Sequence, residues 1–364
     1  MKSSAACISV FLSFLGALQA AVTPSARLPA AEPLQLETGK KSEEIQCAAS
    51  SKWSYFVYLP KAYTADRKWP VMFIMSPVGG NAGTLDRYIP GAEMNGWILA
   101  VSVQSKNGND TTEEPITAMV EDVCKRLPVD PKRIYSSGMS GGARMAFWLS
   151  EQMKSKGFAG VLACGAGGIP EKMSTKTAVF GLCGSNCFNR WDMACTFKGL
   201  KNDASRLRFF VGNHTWADAG LITYAMSWLN ASYLKTMPQL NAAAEEKKRF
   251  IARVQEEIQK ASETDPEAAY EWALCLSQAS PSPSIAKSPQ VLALMKNPKV
   301  LMYISGLKDL DQFVKKHFAT NVMDYKNNNG TEAAKKDAAK CAAKYQATGL
   351  AELFTRMGEP AVSP

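Results

Sequence analysis

The feature that most constrains this chain is a serine set among glycines, in the sequence Gly-Met-Ser-Gly-Gly at positions 138–142. The pattern of a strand precedes it over 133–138, and Ala143 to Leu149 follows with the apolar spacing of a helix. A sharp turn from strand to helix needs small residues, because larger side chains would collide where the backbone doubles back. The sequence therefore predicts that Ser140 lies above the carboxyl edge of a sheet, with the N–H of Gly141 directed to the same point.

Strand and helix patterns alternate along the first two thirds of the chain. Apolar runs predict strands near 44–48, 53–59, 70–75, 97–103, 133–138, 159–164, 177–183 and 206–211. Helical spacing predicts helices near 84–95, 113–126, 142–155, 189–203 and 217–231. Connections this short favour an α/β fold, in which a mainly parallel sheet is covered by helices on both faces.

Beyond Tyr233 the pattern is helical only. Helices are predicted near 242–260, 268–276, 291–295, 300–318 and 331–345. We expect an all-helical C-terminal appendage over 234–364, after a sheet domain over 43–233. The alternative is a helical extension that packs on the sheet domain without a core of its own.

The N-terminus has the pattern of an export signal. Lys2 is followed by an apolar run to Leu18 and then by small residues. This arrangement predicts a cleaved signal peptide over 1–20, a leader or linker over 21–42, and an exported protein, periplasmic or secreted. The apolar run is too short to favour a permanent membrane span.

The composition is that of a globular protein with a basic excess. Hydrophobic residues make up 46% of the chain, charged residues 21%, and the net charge is +9. Basic residues are interleaved with acids, as in Glu-Glu-Lys-Lys at 245–248, which is typical of solvated helix faces. We therefore expect no nucleic-acid partner, and only a loose association with an anionic envelope or polysaccharide is left open.

The chain has nine cysteines, and the predicted signal peptide contains one of them, Cys7. In an exported protein the remainder are compatible with disulfides. Cys275 and Cys341 are the only two beyond residue 233, so we predict a bond between them. Pairing stays open among Cys47, Cys124, Cys164, Cys183, Cys187 and Cys195. No metal or other cofactor is expected, because spacings within this group match no common zinc frame.

Three segments resemble the polyhydroxybutyrate depolymerase/feruloyl esterase-like group of α/β-hydrolases. Val-Asp-Pro-x-Arg-Ile-Tyr at 129–135 leads into the serine turn, 55–63 is similar to the group's first core strand, and 211–216 to its histidine loop. The resemblance implies an α/β-hydrolase-type fold over about 43–233. It also implies a secreted carboxylic-ester hydrolase that works through an acyl-enzyme, on feruloyl or acetyl esters of polysaccharides or on polyesters.

The resemblance also implies roles for particular residues. A serine nucleophile needs a base, and the chain has two histidines. His317 lies in a Lys-rich helical stretch and is expected at the surface, whereas His214 occupies the position of the group's catalytic histidine. Ser140 is thus the implied nucleophile and His214 the general base, with Trp216 beside the substrate.

Two backbone N–H groups are expected to bind the oxyanion, those of Gly141 and Val78. Val78 lies in the loop after the predicted strand 70–75. The group usually has a His-Gly pair where this chain has Ser76 and Pro77. Proline has no N–H, but Val78 keeps its own, so the second donor survives.

The acid position is where this chain departs from the group. Cys187 stands where the group has an aspartate, and a neutral thiol orients an imidazole poorly. Asp192, five residues further on, is the candidate replacement, while Asn186 or Asn189 could orient the ring without supplying charge. The joint loss of this aspartate and of the His-Gly pair motivates an alternative function, that of a catalytically degenerate α/β-hydrolase used as a binding or interaction protein.

Overall fold

The centre of the fold is an eight-stranded sheet, in a computed structural model that describes residues 32–109, 112–153, 158–237, 242–281, 288–319 and 331–362. The predicted signal peptide lies outside these residues. The strands are β1 (Ile45–Cys47), β2 (Ser50–Tyr58), β3 (Trp69–Met75), β4 (Ile98–Ser102), β5 (Val129–Met139), β6 (Gly160–Cys164), β7 (Ala178–Gly184) and β8 (Arg206–Phe210). Their order is β1-β2-β4-β3-β5-β6-β7-β8. Pairs β1–β2 and β2–β4 are antiparallel, and every pair from β4 to β8 is parallel.

Helices follow the strands and continue alone in the C-terminal third. They are α1 (Ile89–Asn95), α2 (Glu113–Arg126), α3 (Gly141–Gln152), α4 (Arg190–Gly199), α5 (Ala219–Thr236), α6 (Ala242–Ser262), α7 (Pro266–Ala279), α8 (Pro289–Leu294), α9 (Pro298–His317), α10 (Glu332–Lys344) and α11 (Leu350–Met357). The predicted α/β class with helical C-terminal elements is confirmed. The helix predicted over 84–95 is divided, because the Asn81 side chain caps a separate 3-10 turn at Ala82–Leu85.

Both faces of the sheet are buried, which explains the continuous apolar runs of the central strands. In β3, Met72 and Ile74 belong to the hydrophobic cluster under α1 and α5. Val71, Phe73 and Met75 belong to the cluster on the opposite face, under α2 and α3. Side chains alternate between faces along a strand, so an all-apolar strand satisfies both layers.

The C-terminal helices share their hydrophobic contacts with the sheet domain. Val254 of α6 and Leu276 of α7 lie in the same cluster as Met226 of α5. A further cluster joins Trp191 of α4 to Phe354 of α11. None of the described helices has the length and hydropathy to cross a bilayer.

The predicted Cys275–Cys341 disulfide is wrong. Both thiols are free. Cys275 is fully buried in the cluster under α1 and α5, whereas Cys341 packs against the cluster around α11. The two cysteines thus pack against different hydrophobic clusters and are not bonded.

Candidate active site

Ser140 lies at the turn between β5 and α3, in a strained backbone conformation. Its φ of 53° and ψ of −120° make it the only non-glycine residue with a positive φ in the described part of the chain. Such a conformation costs about 1–3 kcal/mol and persists only where the surroundings enforce it. Its N–H donates to the carbonyl of Cys164 at 2.9 Å, which fixes the turn to β6.

Glycines on both sides of Ser140 make the turn sterically feasible. A Cβ on Gly138 would lie 2.3 Å from the carbonyl of Gly142, and one on Gly142 would lie 2.3 Å from the carbonyl of Met75. Real Cβ atoms do not approach backbone so closely, so only glycine fits at either position. Helix α3 consequently begins directly against the end of β3.

The imidazole of His214 meets the serine hydroxyl. His214 lies in the loop between β8 and α5, and its Nε2 is 2.9 Å from Oγ of Ser140. The carboxyl ends of the parallel strands β5 and β8 lie at one edge of the sheet, which brings together residues 74 positions apart. The ring of Phe188 packs on the imidazole with 4.0 Å between centroids. A Cβ on Gly165 would come within 3.3 Å of Nδ1, so that small residue leaves room for the ring.

The other imidazole nitrogen faces a sulfur atom. Cys187 lies in the loop between β7 and α4, and its Sγ is 3.0 Å from Nδ1 of His214. The side chain is fully buried. Its sulfur also accepts the backbone N–H of Asn189 at 3.4 Å. The residue at the expected acid position therefore contacts the histidine itself.

Two neighbouring groups lower the pKa of the Cys187 thiol. The adjacent Cys183 thiol has the largest influence, and together with the imidazole of His214 it outweighs the effect of burial. Burial raises the pKa of Cys183, whose thiol donates to the carbonyl of Gly184 at 3.6 Å. A thiolate accepts the Nδ1–H of His214, which leaves Nε2 free to accept the hydroxyl proton of Ser140.

Asp192 is not the partner of His214, contrary to the sequence-based assignment. It lies in the first turn of α4, where its Oδ2 accepts the N–H of Gly167 at 2.9 Å and pairs with Arg144 at 3.0 Å. Because these two groups hold the carboxylate on the α3 side of the loop, it is engaged away from the imidazole.

Neither candidate asparagine contacts the imidazole. The Asn189 carboxamide donates to the carbonyl of Gly165 at 2.8 Å. The Asn186 carboxamide donates to the carbonyl of Arg356 at 3.0 Å. Both asparagines therefore hold backbone around the site.

The expected oxyanion donors belong to the first turn of α3 and to the loop after β3. Gly141 is the first residue of α3, where the N–H groups carry the positive end of the helix dipole. Val78 is 82% exposed, and its N–H donates a long hydrogen bond of 3.4 Å to Oγ of Ser76. The Asn107 carboxamide, which the sequence did not single out, lies so close to Gly141 that any Cβ there would collide with it. Asn107 also donates its backbone N–H to Pro77 at 2.8 Å, which ties the two loops together.

The Trp216 side chain packs between an aromatic ring and a cation. It is partly buried, contacts Tyr88 edge-on at 6.0 Å between centroids, and has the guanidinium of Arg87 4.9 Å above its ring.

The second histidine of the chain is buried. His317 was expected at the surface, but its side chain is only 7% exposed and its Nε2 lies 2.9 Å from Asp337. Packing against Phe313 on the same helix explains its burial.

The fold and this arrangement define a class: an α/β-hydrolase-type fold with a serine at the turn after β5 and a histidine on the loop after β8. No family model matches the chain, and no curated protein matches it. Similar solved structures include FphF, a fluorophosphonate-binding serine hydrolase of Staphylococcus aureus (12% identity, 53% of this chain and 99% of that one, TM-score 0.42). Another is EstE1, a thermophilic carboxylesterase from a metagenomic library (16% identity, 56% of this chain and 92% of that one, TM-score 0.43). A third is a ferulic acid esterase (16% identity, 52% of this chain and 98% of that one, TM-score 0.41). Since these similarities are weak, the chemistry of this chain is inferred from its own site.

Proposed function

We propose that this protein is a serine carboxylic-ester hydrolase in which a cysteine takes the place of the triad acid. The observation that carries the proposal is one unbroken path of polar contacts, 2.9 Å from Ser140 Oγ to His214 Nε2 and 3.0 Å from His214 Nδ1 to Cys187 Sγ. A serine beside a base held by a third group is the arrangement that activates a hydroxyl for attack. The strained turn at Ser140 presents that hydroxyl at the sheet edge.

The reaction follows from these contacts. His214 takes the hydroxyl proton on Nε2 while Ser140 Oγ forms a bond to the ester carbonyl carbon, and the N–H groups of Gly141 and Val78 bind the oxyanion. The tetrahedral species then collapses, and the leaving alkoxide takes the proton from Nε2. In deacylation, His214 takes a proton from water on Nε2 while the water oxygen forms a bond to the acyl carbon. The second tetrahedral species then collapses, the bond to Ser140 Oγ breaks, and Oγ takes the proton from Nε2 as the carboxylic acid leaves.

The thiolate of Cys187 has two tasks in this cycle. It holds His214 in the tautomer that accepts the serine proton, and it offsets the positive charge of the imidazolium formed in the transition state. The alternative of a catalytically degenerate binding protein rested on the joint loss of the aspartate at Cys187 and of the His-Gly pair at Ser76 and Pro77. Its first ground weakens because Cys187 occupies the acid position with a hydrogen-bonded sulfur.

The substrate proposal remains broad. The resemblance to the depolymerase and feruloyl esterase-like group suggests feruloyl or acetyl esters of polysaccharides, or polyesters. The aromatic ring of Phe188, which packs on the imidazole of His214, suits an aryl-bearing acyl group. Export through the N-terminal segment would bring the enzyme to such polymers, and N-terminal sequencing of the mature protein tests it.

Turnover of small esters tests the proposal. We expect purified protein to hydrolyse p-nitrophenyl acetate or methyl ferulate above the buffer rate, and expect Ser140→Ala and His214→Gln each to abolish this. His317→Gln is the matched control, because it removes the other histidine of the chain. Turnover that persists in Ser140→Ala, or a folded wild type without turnover on any ester, contradicts the proposal.

A further inference from the structure

The end of the chain lies against the loop that carries Cys187. Val362 pairs with Cys187 in a parallel β-bridge, and its N–H donates to the carbonyl of Asn186 at 3.0 Å. In return the Asn186 carboxamide donates to the carbonyls of Arg356 at 3.0 Å and Pro360 at 3.3 Å. Two short segments about 170 residues apart in sequence are thus joined by hydrogen bonds in both directions.

A buried arginine also connects the Cys187 loop with the end of the chain. Arg190 is fully buried, and its guanidinium donates to the carbonyl of Ser185 at 2.8 Å, within the Cys187 loop. It also donates to the carbonyls of Glu359 at 2.9 Å and Met357 at 3.4 Å, at the end of the chain. The planar guanidinium suits this bridging, because its donors point in several fixed directions at once.

Arg190 has no carboxylate partner among the residues that the structure describes. Burial lowers its pKa to about 10, and the nearby sulfur atoms of Cys183 and Cys187 counteract that effect. A buried cation without an acid is costly, so its stability depends on the carbonyl contacts and on the rings of Trp191 and Phe318, whose centroids lie 4.3 and 4.6 Å from Cζ.

The opposite side of the Cys187 loop rests on the strand and loop that lead to His214. Ser185 donates its N–H to the carbonyl of Phe210 at 2.8 Å, and Asn186 donates its N–H to the carbonyl of Gly212 at 2.9 Å. The Cys187 loop is therefore held between the histidine loop and the end of the chain. A shift on the outer side would change the distance from Cys187 to His214.

On the basis of the proposed function, we propose that the C-terminal segment Arg356–Val362 is a positioning element of the active site. It acts through Arg190 and Asn186 on the loop that presents Cys187 to His214. The C-terminal helices then have a role in catalysis, because α11 anchors this segment by packing Phe354 into the cluster around Trp191.

Truncation tests this role. A chain that ends at Gly358 loses the contacts of Glu359, Pro360 and Val362, whereas a control chain that ends at Val362 keeps them all. We expect the first truncation to lower kcat about 10- to 100-fold with little change in KM, because His214 loses orientation and not substrate contacts. The control should match wild type.

A spectroscopic readout separates positioning from a general loss of structure. The chain has two histidines, so ¹⁵N-histidine NMR in a His317→Gln background reports His214 alone. We expect a hydrogen-bonded Nδ1–H signal in the full chain and its weakening in the Gly358 truncation. If that truncation does not fold, Asn186→Ala removes the carboxamide contacts at full chain length and should give the same change.

The outcomes distinguish this inference from the proposed function. A full chain without turnover contradicts the esterase proposal, while the NMR comparison still reports on the positioning. An active full chain whose Gly358 truncation or Asn186→Ala variant is folded, with unchanged kcat and an unchanged His214 spectrum, overturns the positioning role.

Discussion

The sulfur of Cys187 lies 3.0 Å from Nδ1 of His214, where a serine triad usually has a carboxylate oxygen. A thiolate is larger than a carboxylate oxygen and its hydrogen bonds are weaker, but it carries the same charge. The Cys183 thiol beside it has the largest influence among the groups that lower the pKa of Cys187. In the proposed triad, Cys187 thus stands in for the aspartate that orients the imidazole.

Removing the sulfur should cost most of the activity. Cys187→Ala leaves Nδ1 without its acceptor, and the loss of a triad acid lowers kcat by up to about 10⁴-fold. Cys187→Asp should stay within about 10-fold of wild type, because the carboxylate supplies the charge but must fit a loop shaped around sulfur. Steady-state ester hydrolysis on the three proteins checks this. A Cys187→Ala protein as active as wild type would exclude a catalytic role for the thiolate.

Neutralising Asp192 should have little effect. Its carboxylate pairs with Arg144, which is half exposed, and pairs of that kind contribute about 0–1 kcal/mol. We therefore expect Asp192→Asn to lower the free energy of unfolding by no more than about 1 kcal/mol and to keep kcat within a few-fold of wild type. Turnover and melting temperature are measured for wild type, Asp192→Asn and Cys187→Ala. Inactivity of a folded Asp192→Asn protein would restore Asp192 as the acid.

The N–H of Val78 can be removed without changing the rest of the proposed oxyanion site. Val78→Pro should lower kcat about 10²- to 10³-fold, the usual cost of one oxyanion donor. Val78→Ala keeps the N–H and should retain near wild-type kcat. Both proteins should melt at similar temperatures, since the side chain is largely exposed. Equal kcat values for the two variants would place the second donor elsewhere.

The lowered pKa of Cys187 predicts a pH-dependent contribution to stability. Its folded pKa lies below the unfolded value, which is about 8.5 for a thiol. The contribution is therefore fully present above that value and is lost as pH falls through the folded pKa. The pKa of Cys183 is raised, so its contribution is constant below about pH 8.5.

Thermal melts of wild type and Cys187→Ser between pH 5 and pH 8 measure this contribution. The stability advantage of the wild type should grow as pH rises, because serine has no anion to stabilise. A constant difference across the range would mean that Cys187 is an ordinary neutral thiol.

The positions of the strands could be predicted from the sequence because the strands are buried on both faces of the sheet. Each apolar run, such as that of β3, could be recognised without knowledge of its partners. The short helix α11 was missed, since it has only eight residues and is stabilised by the packing of Phe354 and its neighbours.

The chemistry of the acid position could not be predicted in the same way. The position of Cys187 is visible in the sequence, but only the fold shows that its sulfur lies 3.0 Å from Nδ1 of His214. Asp192 was the nearest acid along the chain, yet α4 directs it to Gly167. The contacts of Arg190 with the end of the chain depend on residues about 170 positions away.

The most direct test of the account is to map the site of a fluorophosphonate adduct. The probe reacts with an activated serine, so wild-type protein should carry the adduct on the peptide that contains Ser140, as shown by mass spectrometry. His214→Gln and Cys187→Ala should slow labelling, and Ser140→Ala should abolish it. An adduct on another residue, or unchanged labelling of a folded Ser140→Ala protein, would contradict the assignment of Ser140 as the nucleophile.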